Sequence, residues 1–361
     1  MLAGLIVLIL LYAIVLISIF FGYKKHAFFT ANHSNNISVL VPFRNEEDNL
    51  EKCLESLLNQ QFNGAMELIL INDHSSDSSL KVIENVLKKH TNKDVSILHL
   101  PDGVMGKKQA LKHAIPKAKY AIISTFDADC VSNTHWLQSV SDAFYNDTIK
   151  MVLGEVVVPY NNTFSGLLQH SESVLTSIFS IYGVKTNTPL LLSAANLAFR
   201  KEAFNEVNGY SSNEHLPSGD DIFLFEKFKK HFGNHCFGVI SEVVYTNAVD
   251  SLKLFFSQRV RWFQKMKHAK NLVHTHLLST FITTVNTSLL FTLFFYDFKI
   301  ALMLLMMKFI LDILLLSSSR HTHKSALMLS PLLLLWWLVY PLILLISTAL
   351  VKPIWKGRSI N

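Results

Sequence analysis

The chain has little cysteine, with Cys53, Cys130 and Cys236 alone among 361 residues. Their odd number and scattered spacing exclude a disulfide framework and fit a reducing compartment. Charge is scarce too, at 17% of residues against 50% hydrophobic, where soluble domains average about 25% charged. The shortfall is local. No charged residue occurs in 1–23, in 271–296 or in 325–351, which excludes a uniformly soluble chain. A spanning helix needs about 20 apolar residues, and Leu2–Gly22, His276–Tyr296 and Ala326–Val351 each meet that length. Ile300–Ser318 does as well, although it contains Lys308 and Asp312. Those two lie four apart, share a helical face, and are expected to pair with each other. No positive charge precedes the first apolar run and no small-x-small site follows it, so a cleaved signal peptide is not expected. The sixteen histidines contain no His-Glu-x-x-His run, and no histidine metal site is expected. No nucleic-acid partner is expected either.

The basic residues gather beside the apolar runs. Lys24, Lys25 and His26 follow the first run, five Lys and Arg fall between Arg259 and Lys270, and Arg320, His321, His323 and Lys324 form a third group. By the positive-inside rule these place the intervening domain in the cytoplasm, on a multi-pass protein of the cell membrane. The basic tail, with Lys352, Lys356 and Arg358, cannot share that side if every C-terminal segment crosses. One of them is then interfacial or re-entrant, and the segments at 276–296 and around Pro331 and Pro341 are both open to that. The resulting organisation is a membrane helix over 1–23, a catalytic domain over 24–249, an amphipathic interfacial helix over 250–274, membrane segments over 275–351 and a basic tail over 352–361.

Within the catalytic domain the pattern alternates. Short apolar runs at Ile37–Pro42, Leu68–Ile71, Val95–Leu98 and Tyr120–Phe126 read as buried strands. Amphipathic stretches at Glu46–Gln60, Asp77–Lys89 and Lys107–Ala118 read as the helices between them. Alternation of this kind implies an α/β fold, Rossmann-like, with a mostly parallel sheet covered on both faces. Ligands bind such sheets at the carboxyl ends of the strands. Polar clusters fall there: Phe43–Glu47, Asn72–Asp77 and Asp127–Asp129.

Those clusters suit a nucleotide-activated sugar. Asp73 can accept from a base N–H or a ribose hydroxyl, while the run Asn72–Asp77 reads equally as a turn with Ser75 or Ser76 capping the next helix. If the strand continues, Asp127 and Asp129 share one face, and two carboxylates so placed hold a divalent cation on a diphosphate. Lys107 and Lys108 at a helix start can meet phosphate. Asp220 and Asp221 open a helix expected over Asp221–Lys230, where Asp complements the helix dipole. A doublet behind Gly219 exceeds what capping needs, and Asp221 is the expected general base. Gln258, Arg261 and Trp262 fall at i, i+3 and i+4 on one helical face, beside an apolar stripe suited to a membrane surface.

In their order, Val41-Pro42-Phe43-Arg44-Asn45-Glu46, Asn72-Asp73-His74-Ser75-Ser76-Asp77, Gly106-Lys107, Asp127-Ala128-Asp129, Asn196-Leu197-Ala198-Phe199-Arg200, Gly219-Asp220-Asp221 and Gln258-Arg259-Val260-Arg261-Trp262 resemble the family 2 glycosyltransferases. The similarity is to the membrane-integrated branch with cellulose, chitin and hyaluronan synthases and ceramide glucosyltransferase. It implies a GT-A fold, a UDP-sugar donor, Mg2+ or Mn2+, and inversion at the anomeric carbon. It implies donor contacts from Pro42, Phe43, Arg44, Glu46, Asp73, Lys107 and Asp127, with metal at Asp129 and Asp127. It places Asp221 and Asp220 at the catalytic step, and Gln258, Arg261, Trp262 and Asn196 at the diphosphate and acceptor end. Two motifs depart from the family pattern: Asn-Asp-His stands where Asp-Asp-Gly is usual, and Gly-Asp-Asp where Thr-Glu-Asp is usual. The short membrane region favours transfer to a lipid or lipid-linked acceptor over polysaccharide synthesis. A non-catalytic membrane subunit is the further alternative. Oligomeric state is unconstrained.

Overall fold

The apolar runs become strands because β-branched and leucine side chains pack on both faces of a pleated sheet. A computed structural model describes residues 2–24, 33–186, 192–211, 221–268, 273–295, 298–350, 354–355 and 358–359. The chain opens with α1 (Leu2–Lys24), then β1 (Ile37–Phe43), α2 (Leu50–Leu58), β2 (Met66–Asn72), α3 (Ser79–Leu87), β3 (Val95–His99) and α4 (Lys107–Ala114). It continues through β4 (Ile122–Thr125), β5 (Cys130–Ser132), α5 (Trp136–Ala143), β6 (Met151–Leu153), β7 (Val156–Val157) and α6 (Phe164–Thr186). After these come β8 (Leu197–Arg200), α7 (Lys201–Glu206), α8 (Ile222–Phe232), β9 (Phe237–Val239), β10 (Val244–Thr246) and α9 (Leu252–His268). Helices α10 (Val273–Phe295), α11 (Phe298–Leu316), α12 (Lys324–Met328) and α13 (Ser330–Leu350) end the helical part, before a short hairpin of β11 (Ile354–Trp355) and β12 (Arg358–Ser359).

The main sheet runs β3-β2-β1-β4-β8-β6-β9. Strands β3, β2, β1 and β4 are mutually parallel, and β8 is antiparallel to both its neighbours. A smaller sheet, β5-β10-β7, lies beside it. The order reverses between β1 and β4, which makes their carboxyl ends the crevice where a ligand belongs. Helices cover both faces. Leu40, Ile71, Leu111 and Phe199 belong to one core, and Val41, Leu54, Leu70 and Trp136 to the other. The expected helices each begin or end a few residues inside their sequence limits; α4, for example, gives way after Ala114 to a 3-10 turn holding Pro116, since proline lacks the N–H a helix needs.

A third core joins α1, α6, α10, α11 and α13. Leu5, Ile9, Tyr12, Leu16, Ile19 and Tyr23 form the buried stripe of α1, at the spacing of one helical face. The opposite face exposes Ile6, Val7, Leu10, Leu11, Ile14, Ile17 and Phe21. The expected pair inside α11 is present: Lys308 Nζ lies 2.5 Å from Asp312. Tyr12 of α1 donates to the other oxygen of Asp312 at 2.5 Å, so the charge pair also locks two helices together. Among the described residues, α1 is the one helix long and apolar enough to cross a membrane by length and composition. The expected spans near 276–296 and 326–351 are helical as α10 and α13, with the apolar helical stretches Leu277–Leu293 and Trp336–Thr348 among the described residues, and α11 carries Lys299 besides the pair.

The α/β domain meets this bundle through Glu155. Tyr23 at the end of α1 donates to its carboxylate at 3.1 Å, and His321, in the α11–α12 loop, lies 3.8 Å away. Arg320 of that loop donates to the Ser241 carbonyl, and the His323 N–H donates to His170 of α6. Burial pushes the Glu155 carboxyl up to about 7, and burial together with Arg320 pushes His321 down to about 4. From the ordinary 4.5 to about 7 the folded chain therefore holds a proton on Glu155 that the unfolded chain has lost. That residue's contribution to stability falls as pH rises through this window. Glu155→Gln removes the term, so its Tm relative to the parent chain should climb as pH rises from about 5 to about 8. Thermal unfolding of both proteins in detergent across that range checks this, and a constant difference would contradict it.

Candidate active site

One cleft of about 300 Å³ opens at the carboxyl ends of β1, β2 and β4, a size ordinary for small-molecule sites. Its walls include Pro42, Phe43, Arg44, Glu46, Asp73, Lys107, Asp127, Asp129, Asp221, Gln258, Arg261 and Trp262. Twelve sequence-predicted residues, spread over 221 positions, thus meet in one place.

Local chemistry explains the first wall. The loops after β1 and β2 are knitted by side chains. Arg44 Nη1 donates to the carbonyls of Asp73 and His74, at 2.8 and 3.2 Å. The Asn45 N–H donates to Ser75 Oγ, the Ser76 N–H to Asn45 Oδ1, and the Glu46 N–H to Ser79 Oγ. Ser75 and Ser76 therefore tie the loops and do not cap α3; Asp77 Oδ1 accepts from the Ser79 N–H instead. His74 takes φ 55, the left-handed region that glycine enters most easily. Its ring nitrogen meets the Val104 carbonyl at 3.1 Å, a contact glycine would lack. Asp73 is buried, and its Oδ2 accepts from the Gly106 N–H at 3.0 Å. Gly106 has φ 98, and α4 begins at the next residue with Lys107.

The acidic pair is placed differently from the strand-based expectation. β4 ends at Thr125, and Asp127 to Asp129 form a turn in which the Cys130 N–H donates to the Asp127 carbonyl at 3.0 Å. Alternation along a strand does not apply to them, yet both line the cleft. Lys107 Nζ sits 2.5 Å from Asp127 Oδ1. Burial, then Asp129 and Asp127, push the thiols of Cys53 and Cys130 well above their ordinary range, so neither serves as a thiolate nucleophile. No group of three or more His, Cys, Asp or Glu able to hold a metal occurs among the described residues. Two carboxylates are what this wall offers a cation.

Asp221 is 4% exposed, and its Oδ1 accepts from the Ile222 N–H at 2.6 Å, at the N-terminus of α8. The cap and the cleft position coexist. Asp220 lies outside the described residues. Lys108 is buried over the Phe223 ring. Asn196 is not in the cleft. It is fully buried, its Oδ1 accepts from Trp136 Nε1 at 2.9 Å, and its amide donates to the carbonyls of Glu155 and Glu242 at 3.0 Å each. Gly154 exists for this packing: a Cβ there would lie 2.1 Å from Asn196 Nδ2. The motif position expected at the acceptor end is thus a structural amide.

The last wall contains residues the sequence reading passed over. Gln169, Glu172, Ser173 and Thr176 of α6 line the cleft, and their spacing of three and four is the sign of a polar helical stripe. Gln169 bonds both backbone groups of Val249, which sets where α9 starts. Arg259, buried to 5%, also lines the cleft and pairs with Glu172 at 2.5 Å. Trp262 is 39% exposed at the rim.

The glycosyl transferase family 2 model matches residues 38–207. Glycosyltransferase AglE of Haloferax volcanii is 22% identical over 187 residues, 52% of this chain and 59% of that protein. The poly-beta-1,6-N-acetyl-D-glucosamine synthase of Staphylococcus epidermidis is 26% identical over 262 residues, 70% of this chain and 58% of that one. The chain therefore spans less than two thirds of the length of these curated relatives. Among solved structures, mannosyltransferase PcManGT from Pyrobaculum calidifontis, in complex with GDP-Man and Mn2+, aligns over 96% of both chains with TM-score 0.57 and 14% identity. That likeness bears on the fold, which is GT-A-like. The family match stops before Asp221 and α9, so their roles rest on the cleft itself.

Asn196→Ala would strand the Trp136 N–H and take the side-chain donor from the Glu242 carbonyl, while the Glu155 carbonyl keeps the Val244 N–H, and we expect it to cost about 2–4 kcal/mol of stability. A urea or thermal midpoint checks this. An unchanged midpoint, or a specific loss of ligand affinity in the folded protein, would return Asn196 to the binding site.

Proposed function

With residues 38–207 forming a family 2 glycosyltransferase domain, we propose that the chain is an inverting, membrane-bound enzyme using a UDP-sugar. It transfers the sugar to a lipid or lipid-linked acceptor at the cytoplasmic leaflet. The observation that carries this reading is the convergence of Asp73, Asp127, Asp129, Asp221 and the Gln258, Arg261, Trp262 face on one cleft.

Each residue then has a task. Asp73 receives the base or ribose, fixed by Arg44 beneath its loop. Asp127 and Asp129 would hold Mg2+ or Mn2+, whose chemistry is to neutralise the diphosphate as it leaves. Asp127 and Asp129 are the two carboxylates that the wall would offer such an ion. Lys107, already at Asp127, adds a second positive charge beside the phosphates. Asp221 takes the proton of the acceptor hydroxyl as that oxygen attacks C1. The new C1–O bond forms as the C1–O bond to phosphate breaks, and the leaving UDP keeps the electron pair. Arg261 stabilises the departing diphosphate, and Gln258 and Trp262 orient the acceptor.

The location of the acceptor end supports a lipid. Phe255 of α9 packs against Trp336 and Tyr340 of α13, with ring centroids 6.4 and 6.1 Å apart. The cleft thereby abuts the helices that carry the apolar outer surface. α1 is the membrane anchor, with α10 and α11 beside it, and α13, which packs along α9 and α10, is the interfacial segment. That arrangement lets the basic tail remain on the cytoplasmic side. The Glu155 contacts with Tyr23 and His321 set the end of α1 and the α11–α12 loop against the catalytic domain, in keeping with one cytoplasmic face. Polysaccharide synthesis is the second reading, supported by the 70% of the chain that aligns with the poly-beta-1,6-N-acetyl-D-glucosamine synthase.

Asp221→Asn should keep UDP affinity and lower turnover by at least ~100-fold, as loss of a general base does. Steady-state rates and calorimetric UDP binding check this, and near-normal turnover would remove Asp221 from the chemistry. Asp129→Ala should weaken UDP binding in Mn2+ while leaving the residual binding in EDTA unchanged; titrations that agree in the two buffers for the parent chain would count against the metal role.

A further inference from the structure

We propose that Glu172 of α6 and Tyr340 of α13 are positioning residues that, through Arg259, set the acceptor end of the cleft. The proposal rests on the transferase reading of that cleft. Both oxygens of Glu172 are committed. Oε2 accepts from Arg259 Nε at 3.0 Å and from Nη2 at 2.5 Å, and Oε1 accepts from the Tyr340 hydroxyl at 2.7 Å. Although Glu172 lines the cleft, both of its oxygens face protein donors. Its work is to hold the guanidinium. That group lies 4.1 Å from the Phe255 ring centroid and 4.7 Å from that of Trp262, and its Nη1 donates to Gln258 Oε1. One buried cation thus fixes both the amide and the indole that face the acceptor. Stacking a guanidinium on an aromatic face and forking it onto a carboxylate are what arginine does and lysine does not.

The consequence concerns α13. Tyr340 begins a chain of contacts that passes through Glu172 and Arg259 to Gln258 and Trp262. The C-terminal helix is then a working part of the site and more than an anchor. Misplacing reacting groups by about 1 Å costs on the order of 100-fold in rate, so loosening this chain should lower kcat and leave donor binding nearly intact.

Glu172→Gln and Tyr340→Phe in the full-length chain test this. Both should lower kcat for transfer by roughly 10- to 100-fold, with UDP Kd and donor KM within about threefold of the parent. The split separates positioning from a general loss of structure, which would move Kd and kcat together. A second readout does not need turnover: the emission of Trp262, taken as the difference from a matched Trp262→Phe chain, should shift in Glu172→Gln. Normal kcat in both variants, or an unshifted Trp262 spectrum, overturns the proposal. If the parent chain transfers no sugar, the transferase reading fails, and the Trp262 spectrum still decides whether Glu172 positions the arginine. Should Glu172→Gln fail to fold, Tyr340→Phe, which deletes one oxygen, carries both readouts.

Discussion

Strands β1, β2 and β4 are buried on both faces, and the acidic groups of the cleft lie where they stop. β1 pairs with β2 along Ile37–Phe43 and with β4 along Ile37–Leu40, and Phe43, Asn72 and Phe126 mark the points where pairing gives out. Past those points the loops must satisfy their own polar groups. They do so through Arg44, Asn45, Ser75, Ser76 and Ser79, which leaves Asp73, Asp127 and Asp129 along the cleft. The donor end of the site follows from sheet geometry and the hydrogen-bonding needs of three turns.

The acceptor end has a different origin. It is assembled from helices distant in sequence, and its central contact is a largely buried ion pair at the wall of the cleft. Pairing Arg259 with Glu172 offsets the cost of burying either charge alone, and the hydroxyl of Tyr340 completes the carboxylate. The same principle operates at Lys308 and Asp312, where Tyr12 completes the pair and joins α1 to α11. At Glu155, by contrast, a buried carboxyl is held by a tyrosine hydroxyl and a histidine 3.8 Å away, and burial raises its proton affinity.

How far the sequence was legible follows from range. Runs such as Ile37–Pro42 and Leu68–Ile71 announce strands because β propensity and burial act over a few residues, and Lys308 and Asp312 pair as their spacing requires. Asp127 and Asp129 reach the cleft by a turn, although alternation along a strand was the expected route. Asn196 shows where order along a motif misleads: its position beside β8 is occupied by a buried amide that serves Trp136 and two carbonyls. Glu172 and Tyr340 lay beyond reach, since their contact spans 168 positions and no local pattern encodes it. The polar stripe of α6 was a visible trace of this wall, although its partner helix was not.

The most direct test of the central claim is UDP release from a panel of UDP-sugars by the detergent-purified chain, in Mg2+ or Mn2+, with and without membrane lipid extract. The expected result is release from one donor that depends on lipid and yields a single new glycolipid. Release without lipid and with a growing high-mass product would replace single transfer by polymer synthesis. Silence with every UDP-sugar, set against turnover of a GDP-sugar, would contradict the donor assignment itself.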